Sequence, residues 1–169
     1  MRPEWHQLKS GRPEFELLDG VRVIATLAFS NSLGTLATAT AGAAGWTFKR
    51  VGFFQQRVSI RARGSEASLG EFVNGTWTEG GTLTLRNGRR FNATTNLWNT
   101  KWRVEDDAGR LVLRFDYGGV FRLHAFVDLA EGARDLAELP LLLTLSWYLV
   151  VMQAREAEAS AAGAVILLS

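Results

Sequence analysis

The chain has 169 residues, 47% of them hydrophobic and 21% charged, which is the length of one domain and enough apolar material for a core, and excludes a wholly disordered chain. It contains no cysteine, so disulfides, cysteine-ligated zinc, iron–sulfur clusters and thiol catalysis are excluded together. Nineteen basic against seventeen acidic residues leave a net charge of only +2, too small for a general attraction to nucleic acid or to an anionic membrane.

Residues 1–13 hold no apolar run, so they read as an N-terminal arm without a secretory signal, and a cytoplasmic location, or one peripheral to a membrane, is expected. From Glu14 to Leu129 the hydrophobic period is that of strands. The candidates in chain order are Glu14 to Leu18, Val21 to Phe29, Thr35 to Thr40, Trp46 to Val51, Gln56 to Arg63, Ala67 to Val73, Thr82 to Arg86, Arg89 to Thr94, Lys101 to Glu105, Arg110 to Asp116 and Val120 to Asp128. Asp19-Gly20 and Asn87-Gly88 are expected as two-residue hairpin loops, because a type I′ turn needs positive φ at both central positions. Asp107-Ala108-Gly109 suggests a three-residue loop with its glycine left-handed.

Alternation assigns faces. Val58, Ile60 and Ala62 point one way, so Arg57, Arg61 and Arg63 share the other. Trp102 and Val104 go inward, as do Phe121, Leu123, Ala125 and Val127, leaving Arg122 and His124 outward. Trp46 and Phe48 inward put Lys49 on the arginine face and turn Arg50 toward the interior.

At Asp135 the pattern changes. Asp135-Leu136-Ala137-Glu138 has the spacing of a helix start, and a helix of about 135–160 follows, with Leu139 to Met152 apolar all round. That stretch of about 14 residues is short of the roughly 20 that span a bilayer, and Pro140 favours a start nearer Leu139 or a slight bend. A helix that is apolar on every side needs a surround. The economical solution for residues 14–169 is one mainly β domain: a closed antiparallel β-barrel of about 12 strands with the C-terminal helix threaded through it.

Charge is uneven along the chain. Between Asp19 and Glu66 there are six basic residues and no acid, a second basic stretch runs from Arg86 to Arg103, and Asp128 to Glu158 is acidic. Isolated arginines solvate any strand face, yet three at alternate positions align their planar forks, which suits phosphate oxygens. Lys49, Arg57, Arg61 and Arg63 are therefore the candidate anionic-ligand residues.

Catalytic and metal signatures are missing. His6 and His124 have no carboxylate at recurring ligand spacing, no Gly-x-Ser-x-Gly elbow or phosphate-cradling Gly-x-x-x-x-Gly-Lys occurs, and neither enzyme activity nor a cofactor is expected. Of the tryptophans, Trp46, Trp102 and Trp147 occupy expected core positions.

The run Gly45-Trp46-Thr47-Phe48-Lys49-Arg50-Val51-Gly52 through the Arg57 strand, then Gly81-Thr82-Leu83-Thr84-Leu85 with Gly88, then Leu139 to Met152 with Trp147-Tyr148, resembles the tubby-like superfamily. That superfamily includes the tubby C-terminal domain, the phospholipid scramblases and the LURP-one-related proteins, and the likeness of order and pattern spans roughly Glu14 to Glu156. It implies a helix-filled barrel, with phosphoinositide binding through basic barrel residues as in tubby or membrane association as in the scramblases, while many bacterial relatives have no assigned role. Association with anionic phospholipid headgroups through a basic barrel face is the expectation for this chain. The chain departs from the scramblases in having no acidic calcium-loop cluster and no cysteine to palmitoylate; Asp106-Asp107 reads as hairpin chemistry. Two other functions fit the same residues. One is a scaffold for a protein partner through the acidic helix end or apolar tail; the other is an open barrel that binds a small apolar ligand with the helix packed outside.

Overall fold

The computed structural model describes residues 2–52, 56–75, 80–119 and 122–168, with side chains to 164 within the last helix. Twelve strands run in order: β1 (Glu4–Gln7), β2 (Glu14–Asp19), β3 (Arg22–Phe29), β4 (Ala37–Ala41), β5 (Ala44–Val51), β6 (Arg57–Ala62), β7 (Ser68–Asn74), β8 (Gly80–Leu85), β9 (Arg90–Thr95), β10 (Lys101–Asp106), β11 (Leu111–Gly118) and β12 (His124–Leu129). Each pairs antiparallel with its sequence neighbours, and β1 pairs with β12 to close the barrel. Closure leaves no strand edge open to further pairing. The helix α1 (Leu139–Leu168) follows a short 3-10 turn at Ala133–Asp135.

Period-two burial makes the wall. Along β9, Phe91 and Ala93 point inward between exposed Arg90, Asn92 and Thr94, and along β10 Trp102 and Val104 do the same. Inside the ring stands the helix, buried on every side from Leu141 to Met152, including Leu143, Trp147 and Tyr148. Each large apolar side chain buried in this way contributes about 1.5–3 kcal/mol. The buried hydroxyl of Thr144 donates back to the carbonyls of Pro140 at 3.0 Å and Leu141 at 3.1 Å, so no polar hydrogen is stranded there.

Residues 1–13 are not simply an arm. Glu4–Gln7 form the closing strand, with Trp5 opposite Ala125 on one side and Leu17 on the other. Four residues around a single inward side chain give too little alternation to stand out in a sequence, and their pairing partner lies at the far end of the chain.

The helix begins at Leu139, not Asp135. Pro140 then falls in the first turn, where its missing N–H has no helical acceptor to lose; a start at Asp135 would place its ring in the helix interior. Asp135 instead donates its backbone N–H to Gly132 O at 3.2 Å in the 3-10 turn. Glu138 supplies the carbonyl that the Leu142 N–H reaches at 2.9 Å, and its carboxylate accepts from Arg89 at 2.8 Å.

Two turns also differ from expectation. In the Asn87-Gly88 hairpin, Leu85 and Arg89 are joined by a backbone hydrogen bond and only Gly88 has positive φ (86°), so it is a three-residue loop like Asp107-Ala108-Gly109, where Gly109 has φ 75°. The Asn87 carboxamide oxygen accepts the Arg89 N–H, which holds the wider turn. Asp19 pairs with Arg22 across the first hairpin, so its loop residues are Gly20 and Val21. Of the expected last strand, Val120 and Phe121 lie outside the described residues, and pairing starts with His124 opposite Gly118. Among the described residues no helix is long and apolar enough to cross a membrane.

Candidate functional site

The helix divides the barrel into two ends. At the base, where it enters, the strands are joined by polar turns such as Asn87-Gly88 and Asp107-Ala108-Gly109. At the mouth it leaves between the longer connections, anchored by the Tyr148 hydroxyl donating to Thr35 O at 2.6 Å and by Arg155 donating to Gly34 O at 3.0 Å. The Arg155 guanidinium also lies over the Phe29 ring, 3.9 Å from its centroid, and burial pushes its pKa down.

The β5–β6 ladder sets the basic face. Lys49 stands opposite Ser59, Val51 opposite Arg57 and Thr47 opposite Arg61, while the Arg63 N–H bonds to Gly45 O at 2.9 Å just past the strand. Lys49 and Arg57 therefore sit toward the mouth and Arg61 and Arg63 toward the base, on one outer surface. Arg50 points the other way, as alternation requires, and pairs at 2.5 Å with Glu156 on the emerging helix.

Two acids share this face that charge runs along the chain do not place there. The β6–β7 hairpin brings Glu71 to 3.8 Å from Arg57 and Glu66 into a hydrogen-bonded pair with Arg61. A small irregularity in β7 pairing beside Ile60 and Arg61 shifts the register at that point. Both pairs are solvent-exposed, and such pairs are worth only about 0–1 kcal/mol, so a multivalent anion can compete for the arginines.

The second basic stretch does not gather. Arg89 is engaged by Glu138 near the base, Arg103 by Glu105, and Lys101 stands at the mouth opposite Asp116. A separate ionic cluster braces the closing seam: Arg2 reaches Asp116 and Asp128, each at 2.6 Å, and Arg114 reaches Asp128 at 2.8 Å. Hydrogen bonding to Asp128, then Asp116, raises the Arg2 pKa, and the Arg2 and Arg114 guanidiniums hold Asp128 below the usual carboxylate range.

His6 and His124 face each other across the seam, with His6 Nε2 at 3.3 Å from Glu4. Among the described residues no group of three histidine or acidic side chains is arranged to hold a metal ion.

The helix fills the lumen. A gap beside it among the described residues, between Phe72, Leu83, Leu142 and Leu145, has a volume of about 10 Å³, less than a small ligand needs. The open-barrel reading, which places the helix outside, is thereby corrected: the apolar helix finds its surround only inside the ring. Larger hollows flank the helix at the mouth, about 160 Å³ beside Arg50, Gln56, Asn74 and Gln153, and about 410 Å³ beside Ser10, Phe15, Arg122 and Arg155. Both are assembled from residues far apart in the chain, a feature of three dimensions with no local sequence signal.

Comparison with protein-family models, with curated proteins and with solved structures found no significant match to this chain. Fold and geometry therefore define it as a closed twelve-stranded antiparallel barrel around a central helix, with a basic outer face on β5 and β6.

Proposed function

We propose that this barrel is a non-enzymatic binding domain that associates with anionic phospholipid headgroups through Lys49, Arg57, Arg61 and Arg63, at the cytoplasmic face of a membrane. The observation that carries this reading is the joint placement of the four cations on one outer surface while the lumen is occupied. A ligand has to be met from outside, and guanidinium forks meet phosphate oxygens with paired hydrogen bonds. The resemblance of the sequence pattern to the tubby-like superfamily points to the same class of ligand.

The test is sedimentation with vesicles of phosphatidylcholine alone and of phosphatidylcholine mixed with phosphatidylserine, at low and high salt. Wild type should bind the anionic vesicles at low salt, and Arg57→Gln, Arg61→Gln and Arg63→Gln together should weaken that binding about tenfold or more, since each cation near an anionic surface is worth about 1 kcal/mol. Equal binding by both proteins would remove the headgroup role of this face.

A further inference from the structure

The two ends of the barrel differ in what they expose. Among the described residues, Leu8 (43% exposed), Leu33 (97%), Leu36 (41%), Leu97 (84%) and Trp98 (83%) all stand in connections at the mouth, with Val51 at the end of β5 beside them. The base exposes Val21 and Val23 among turns that carry Asp19, Arg22, Glu66, Arg86, Arg89, Asp107 and Arg110. The mouth thus gathers most of the large exposed apolar side chains, with the base adding Val21 and Val23 and the wall Phe126, and such a concentration of leucine and tryptophan marks a surface that meets a partner.

These side chains are held out by their loops. In the β9–β10 connection, the Asn96 carboxamide oxygen accepts the N–H groups of Thr100 and Lys101, both at 2.9 Å, and Asn99 takes positive φ (50°). Leu97 and Trp98 are left at the tip. In the β3–β4 connection, Asn31 accepts the N–H of Leu33 at 3.1 Å and that of Gly34, Ser30 bonds to Leu36 O at 2.9 Å, and the helix fixes the far side through Tyr148 and Arg155. Apolar tips on turns already hydrogen-bonded to themselves need little further ordering when they are buried.

We propose that the barrel docks end-on, its mouth inserted into the interfacial layer of an anionic phospholipid bilayer. Three features select a bilayer over a protein. The β3–β4 and β9–β10 connections lie half the ring apart, on opposite sides of the emerging helix, so a planar partner reaches both. The loops carrying Leu8, Leu33, Leu36, Leu97 and Trp98 contain Lys9 and Arg12 and no acid. Glu156 and Glu158 of the emerging helix are met by Arg50 and Arg155, so the loop cations are left to complement a negative surface, and tryptophan favours the interfacial zone. The helix continues beyond the mouth without a charged residue from Ala159 to Leu168, about 15 Å of rise, half the thickness of a hydrocarbon core. A soft layer accommodates that projection; a flat rigid surface does not.

This pose rests on the membrane reading and sharpens it. In this pose Lys49 and Arg57, near the mouth, make the headgroup contacts, while Arg61 and Arg63, toward the base, add a longer-range attraction that salt screens first. The experiment uses the full chain carrying Leu33→Ser, Leu97→Ser and Trp98→Ser together, beside the triple arginine variant, in the same vesicle sedimentation. All three positions are exposed, so an unchanged thermal melt certifies the fold. The mouth variant is expected to lose about tenfold or more of its partition to anionic vesicles, including the fraction that survives high salt, because that fraction measures apolar insertion. The arginine variant should lose only the salt-sensitive fraction. Unchanged partition by the mouth variant overturns end-on docking even if the arginine variant fails to bind. The reverse pattern keeps end-on docking and removes the basic face. Absence of wild-type binding to either vesicle overturns the proposal, as does wild-type self-association that the mouth variant abolishes, since the occupant would then be a second copy.

Discussion

Trp5 on β1 and Trp147 on the helix stack with ring centroids 5.6 Å apart and planes inclined by 6°, and Phe15 and Phe115 meet Trp147 edge-on at 5.6 and 6.2 Å. The closing strand is thereby tied to the central helix, so barrel closure and helix insertion stabilise each other. Trp5→Ala should destabilise by about 3–5 kcal/mol, lowering Tm by roughly 10 °C for a domain of this size. Trp5→Phe should cost less, because it also removes a buried indole N–H that has no acceptor. Thermal melts of the two variants check the order.

Leu143 and Arg63 stand on opposite sides of the wall. Leu143→Asp would put a carboxylate among apolar neighbours inside the ring, with an expected loss of about 4 kcal/mol or more, whereas Arg63→Asp at the surface should stay within about 0.5 kcal/mol of wild type. Urea denaturation curves that showed both changes to be mild would reverse the assignment of inside and outside.

Tyr148 is buried, and burial pushes its phenol up to about 12. An unfolded tyrosine ionises near its ordinary value of 10, so between these limits the unfolded state binds fewer protons and stability falls as pH rises. Stability at alkaline pH should decline from about 10 upward less steeply in Tyr148→Phe than in wild type. At neutral pH the same variant should lose about 1–2 kcal/mol with the hydrogen bond to Thr35.

Asp106 governs the acid side. Its carboxylate accepts the backbone N–H of Arg110 at 2.9 Å, then its guanidinium, and the N–H of Ala108 at 3.0 Å, which together lower its pKa below the ordinary 3.8. A lowered folded pKa makes the unfolded state bind more protons, so this stabilisation is complete above pH 3.8 and is lost as pH falls through the folded value. Asp106→Ala should be less stable than wild type at neutral pH and should show a shallower decline under acid. Chemical denaturation across that range checks both.

The strand wall was legible because the two faces of a barrel strand meet different media, and a period of two in residues such as Val58, Ile60, Phe91, Trp102 and Val104 records that locally. The helix was legible for a related reason: Leu139 to Met152 carries no polar face, so the chain had to provide a surround, and a closed ring of strands is one. The candidate face was legible in part, since alternation alone placed Lys49, Arg57, Arg61 and Arg63 together and turned Arg50 inward. What the tertiary structure decided lies in contacts between distant positions. Glu4–Gln7 became a strand because β12 and β2 offered it two partners more than a hundred residues apart in the chain. Glu66 and Glu71 reached the arginines across a hairpin, Glu156 met Arg50 at the helix exit, and Leu33 and Trp98 were brought to one mouth from opposite sides of the ring. Local periodicity reports only which medium a side chain faces; which charges and apolar tips become neighbours is fixed by closure of the ring and the path of the helix through it.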